Sequence, residues 1–179
     1  MTDTHMSNDP LLKAARLISI VLRWILLLAG GVILAIGVLG LLAIAVQEAG
    51  LVAIADPLAV PDDIIAVVIF VGIGVGCFLL ARFLKKLLEI IATVADGNPF
   101  EIANAARLET MGWLVAGATL LSFLGELFGR VYNALALAAQ TDFEVEGSVE
   151  GVLITLLLFI LARVFRHGAA MREDLEGTV

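Results

Sequence analysis

The amino-acid sequence predicts an all-α protein, a four-helix transmembrane bundle with cytoplasmic helical extensions. Three observations lead there. Hydrophobic residues make up 61% of the 179-residue chain and its mean hydropathy is +1.05, well above the roughly 45–50% apolar share of a soluble domain. The apolar residues gather into four runs with the charged residues between them. If all four runs cross a bilayer, ten of the 11 Lys and Arg fall on one side of it. The net charge of -7 therefore matters less than where the charges stand.

The first run, Trp24 to Val46, exceeds the roughly 20 residues a crossing takes. It is also longer than the roughly 7–15-residue core of a signal peptide, so it reads as a retained anchor helix. Asp9 and Pro10 give a cap-then-proline start ahead of Leu11, Leu12, Ala15 and Ile18, behind a flexible cytoplasmic tail of residues 1–9. The second run, Ile64 to Ala81, is opened by Pro61, Asp62 and Asp63. Beyond Arg82, the positions Phe83, Leu84, Leu87, Leu88, Ile91 and Val94 recur at helical spacing while Lys85, Lys86 and Glu89 take another face, so this helix should project into the cytoplasm. Gly97 is its natural stop. Asn98 then suits an N-cap, Pro99 the first helical position and Glu101 the third residue of a capping box, so a new helix is expected there, running through Leu108 into the third run, Met111 to Phe128. The fourth run, Val149 to Ala162, is the shortest and also fits a buried or re-entrant segment. Val164 and Phe165 extend it to about residue 165 if Arg163 snorkels toward the headgroups. Residues 10–179 thus form one predicted membrane domain, with spans at about 24–46, 64–81, 111–128 and 149–165.

Basic loops stay in the cytoplasm, which orients the chain. Lys13, Arg16, Arg23, Arg82, Lys85, Lys86, Arg107, Arg163, Arg166 and Arg172 lie inside when both termini are cytoplasmic, and only Arg130 lies outside. The outer segments are acidic, with Glu48, Asp56, Asp62 and Asp63 in one and Asp142, Glu144, Glu146 and Glu150 in the other. The expected location is a bacterial plasma (inner) membrane, and the lipid bilayer is the first partner. Trp24 and Trp113 fit its inner aromatic belt.

Candidate chemistry within the spans is sparse. Glu126 is the one acid in or at the edge of a span, which makes it a candidate intramembrane polar site. Arg130 follows it by one helical turn, where an interfacial ion pair needs no transport role. Gly72 and Gly76, and Gly125 and Gly129, form small-xxx-small faces for close helix packing, within the chain or between copies in a homo-oligomer. Gly30, Gly31, Gly37 and Gly40 can serve the first helix likewise. A phosphate loop at Gly72, Gly74 and Gly76 would need a preceding strand and water access, and these glycines sit in mid-span. Cys77 is the single cysteine, and His5 and His167 are the only histidines, far apart in sequence. No metal site, no cofactor and no catalytic constellation is expected from these. Leu80-Ala81-Arg82 echoes Leu161-Ala162-Arg163 where two spans leave for the cytoplasm.

Two cytoplasmic motifs carry a family resemblance. Gly97-Asn98-Pro99-Phe100 with Asn104, Arg107-Leu108 and Gly112 is one. The other is Val164-Phe165-Arg166, Gly168-Ala169, Met171-Arg172, Asp174-Leu175 and Thr178-Val179. With these the chain resembles the bacterial DUF-2975 family, small four-span membrane proteins of uncharacterised function, from about the first span to the last residue. His167 departs from the acidic residue the family more often carries there. Members are often encoded beside small helix-turn-helix regulators, which the resemblance implies as a partner.

The candidate interaction face is Asn98, Pro99, Phe100, Asn104, Arg107, Arg166, His167 and Arg172. Its residues can serve as a helix cap and as arginines facing lipid phosphates or paired with Glu101, Glu109, Glu173 and Asp174. They can equally build a polar surface on which a soluble cytoplasmic protein docks. The leading expectation is a non-enzymatic membrane protein that recruits or regulates such a partner. The alternative is a small transporter or channel, which predicts a vesicle flux sensitive to Glu126→Gln. Direct nucleic-acid binding is not expected, because the basic residues stand beside membrane exits with acids among them.

Overall fold

A computed structural model describes residues 10–49, 64–134 and 149–176. They form four helices, α1 (Pro10–Glu48), α2 (Ile64–Ala95), α3 (Ile102–Ala134) and α4 (Val149–Glu176). No strand occurs among the described residues. The tail 1–9 with His5, the opening Pro61-Asp62-Asp63, the outer acids Asp56, Asp142, Glu144 and Glu146, and Thr178-Val179 lie outside them. Pro10 begins α1 as its fixed φ favours.

Each helix is longer than the run that suggested it. α2 continues without a break from the Ile64 run through Arg82 to Ala95, and α3 enters the Met111 run from Ile102. At 39 residues α1 is about 58 Å long, roughly twice the 30 Å of a hydrocarbon core. Three helices, over Pro10–Val46, Ala66–Ala95 and Ile102–Val131, are long and apolar enough to cross a membrane. Only 17%, 22% and 11% of their most apolar windows lie buried. Leu, Ile and Phe therefore cover most of their outer surface, which water would penalise and hydrocarbon would not.

The contacts fall into two compact units. The first takes the described parts of Met1–Ile25, Leu79–Thr119 and Ser148–Val179. At its centre Leu108 and Met111 of α3 meet Leu158 and Ala162 of α4, with Phe83, Leu87 and Ile90 of α2 and Phe165 of α4 packed around them. Close approach here depends on small residues. A Cβ on Gly112 would stand 3.0 Å from the Phe159 ring, whose edge meets Trp113 at a centroid distance of 5.3 Å.

The second unit takes the described parts of Leu26–Phe78 and Leu120–Gly147. In it α1 and α2 touch through glycines. A Cβ on Gly30 would lie 2.7 Å from Cys77 Cβ, one on Gly37 3.0 Å from Val71, and one on Gly74 2.9 Å from Leu34 Cδ2. A Cβ on Gly72, Gly76 or Gly125 would meet nothing within 4 Å. The packing expected at Gly72 and Gly76 within the chain is thus carried by Gly74. It lies two residues from each, about 200° around the helix, on the opposite side.

Candidate functional site

The polar centre of the first unit is built at the turn between α2 and α3. α2 ends in paired hydrogen bonds, Gly97 N–H to Val94 O (3.1 Å) and Asn98 N–H to Thr93 O (2.9 Å). Gly97 takes φ +79, the left-handed conformation that closes such an end and that a side chain would resist. Glu101 N–H then reaches back to Asn98 O at 3.4 Å. Asn98 to Glu101 is therefore a turn and α3 opens at Ile102, not at the Asn98-Pro99 start read from the sequence. The same dipeptide suits both roles, since Asn at the first and Pro at the second position also favour a type I turn.

Asn104 is fully buried and is the keystone of the turn. Its Nδ2 donates to Thr93 Oγ1 (2.8 Å) and to the Pro99 carbonyl (2.9 Å). Its Oδ1 accepts from Arg107 Nη1 at 2.7 Å and lies 3.1 Å from Thr93 Oγ1, which also donates to Ile90 O. One side chain thus ties the last turn of α2, the loop and the first turn of α3. A buried amide satisfied on both ends specifies a single geometry, because any shift strands a polar atom.

Charged groups surround this core. Arg107 Nε lies 3.4 Å from Glu89 and its Nη1 3.9 Å from Glu101, while Lys86 Nζ bonds Glu89 at 2.8 Å. Glu89 stands seven residues beyond Arg82, outside the apolar run. The Lys86 hydrogen bond holds its pKa below the ordinary carboxylate value against the opposing effect of burial, with Lys86, Arg107 and Lys85 adding Coulombic attraction.

α4 docks on the turn. The Phe100 ring meets Phe165 at 5.4 Å between centroids, tilted by 43°. Gly168 leaves room for it, since a Cβ there would stand 2.8 Å from Phe100 Cδ1. Arg172 Nη1 donates to Asn98 Oδ1 (3.1 Å) and Arg166 Nη2 to Glu109 Oε2 (2.7 Å). Between turn and helix opens a cleft of about 430 Å³. Phe100, Ile102 and Ala169 are the apolar part of its lining, and Asn98, Glu101, Arg172 and Glu173 are the polar part.

All eight residues expected on the interaction face lie in the first unit, and seven of them make the contacts described above: Asn98, Pro99, Phe100, Asn104, Arg107, Arg166 and Arg172. His167 is exposed on α4 and makes no hydrogen bond or ion pair among the described residues. Thr93 and Glu89 were not singled out in the sequence, where one is a lone hydroxyl in an apolar helix and the other part of a charged stripe. Glu126 bonds Arg130 across one turn of α3, with the Arg130 side chain 75% and the Glu126 side chain 12% exposed. The pair is the i, i+4 arrangement in which an acid and a base on one helix face satisfy each other. No protein-family model, curated protein or solved structure matches the chain.

Proposed function

We propose that this is a non-enzymatic, four-span protein of a bacterial plasma membrane, with both termini in the cytoplasm, whose turn-and-α4 face recruits a soluble partner. The observation that carries the reading is the cleft, which sets exposed Phe100 and Ile102 among polar side chains, at a turn held by the buried and fully bonded Asn104 amide. Phe100 is 44% and Ile102 62% exposed, beyond the apolar runs and beside charged residues. Exposed apolar groups on a rigid polar frame are what a docking site presents.

Membrane placement is supported by the three long apolar helices and by the distribution of Lys and Arg. The fourth span is supported by α4 itself. Leu153, Leu157, Ile160 and Val164, between 54% and 62% exposed, form one continuous stripe. A small helix-turn-helix regulator is the proposed partner, on the resemblance to the DUF-2975 family.

The test uses the full chain in detergent, with a small helix-turn-helix regulator as prey. Ile102→Glu should abolish capture while leaving the unfolding temperature unchanged, because the side chain is largely exposed. Capture equal to wild type by a folded Ile102→Glu variant would remove the cleft from the account.

A further inference from the structure

We infer that Arg16, Arg23, Arg82 and Arg163 hold the headgroups of anionic phospholipids at the surface of the first unit. These contacts rest on the membrane placement proposed above and are independent of the cleft. All four arginines belong to the first unit.

Lys13, which has a partner of its own, and Lys85, which acts electrostatically on Glu89, stand apart, and the other basic side chains of that unit divide into two sets. Lys86, Arg107 and Arg166 are neutralised by Glu89, Glu101 and Glu109, and Arg172 donates to Asn98. Arg16, Arg23, Arg82 and Arg163 make no hydrogen bond or ion pair among the described residues. Arg23 is half-buried and the other three are exposed. Arg82 and Arg163 also share a setting. Each follows a buried alanine, Ala81 or Ala162, which in turn follows an exposed leucine. Each arginine therefore ends an apolar run in the same register relative to the packed face. On α1, Arg16 and Arg23 share one face with buried Ser19 between them.

Helix length supplies an independent observation. The exposed large apolar residues of α1 begin at Leu11 and continue to Leu42, about 46 Å of helix against roughly 30 Å of hydrocarbon. With Trp24 at the interface, the first turns of α1, with Arg16, fall in the headgroup layer. Trp24 and Trp113, 62% and 66% exposed in the same unit, are the residue type that settles at this level. Unpaired guanidinium groups there need counter-charge, and their planar fork matches a phosphate. A zwitterionic headgroup cancels its own phosphate, so four uncompensated cations favour a lipid of net negative charge.

The full chain in non-ionic detergent is offered phosphatidylglycerol and phosphatidylcholine of matched acyl chains, and retained lipids are counted by native mass spectrometry. The wild type should prefer phosphatidylglycerol by about tenfold, and each Arg→Gln change should reduce that preference by about twofold. R16Q/R23Q/R82Q/R163Q should hold the two lipids equally, and R82Q/R163Q carries the test if the quadruple variant does not fold. R130Q, which removes a positive charge from the other unit, should keep the preference. Equal retention by the wild type, a preference surviving both variants, or displacement of the lipid by excess inorganic phosphate would overturn these contacts. A chain that needs detergent yet holds both lipids equally loses only these contacts, whereas one that is monodisperse without detergent loses the membrane placement.

Discussion

Asn104→Ala should destabilise the protein by about 3 kcal/mol, lowering the unfolding temperature in detergent by about 6–12 °C. The cost has identifiable parts. The Pro99 carbonyl loses its donor, Arg107 loses the 2.7 Å acceptor, and a small void opens where the amide was fully buried. Thr93 keeps one partner, since its hydroxyl still donates to Ile90 O. Thr110→Ala is the matched control. It removes an exposed bond from Thr110 to its own helix, at Ala106 O, and should change stability by no more than about 0.5 kcal/mol. The variant should also loosen the turn, so amide exchange across 96–101 should accelerate in Asn104→Ala alone. Wild-type melting by Asn104→Ala would show that the buried amide does not hold the hairpin.

Leu157→Arg should impair membrane insertion by about 3 kcal/mol, because the residue lies near the middle of the proposed fourth span. The sign of this effect depends on the solvent. Leu157 is 62% exposed, so in water the change would be neutral within about 0.5 kcal/mol and would aid solubility. In hydrocarbon the same charge loses the water that would solvate it. Insertion of α4 can be read from the fraction of chains whose 149–165 segment resists protease in membrane vesicles. A fall in that fraction is expected, and an unchanged fraction would mean that α4 lies outside the bilayer.

The helices were legible in the sequence because apolar runs, caps and stops are local signals. Gly97 was a stop on sequence grounds and takes the positive φ that a stop of this kind needs. The extension of α2 past Arg82 followed from its helical spacing. Signals that depend on what lies across the turn were not legible. Asn98-Pro99 fits a helix start and a turn equally well, and only the register of α3 against α2 separates them. Asn104 stood in a motif, but its bond to Thr93 spans 11 residues and the reversal of the chain. The glycines show the same limit. Gly72, Gly74 and Gly76 offer two opposed faces of α2, and composition does not say which one a neighbouring helix occupies. In the structure Leu34 faces Gly74. The candidate face was gathered from a resemblance and from position relative to the membrane, so its members were legible but their pairings were not. Arg166 with Glu109, Arg172 with Asn98 and Phe100 over Gly168 all join α4 to residues more than fifty positions earlier.

The direction of the chain across the membrane underlies the cytoplasmic docking face and the lipid contacts, and cysteine labelling in intact cells reads it directly. In a Cys77→Ala background, Glu146→Cys should react with an impermeant maleimide added outside, and Glu173→Cys should react only after the membrane is opened. Reaction of Glu173→Cys in sealed cells, or protection of Glu146→Cys there, would contradict four crossings with both ends inside.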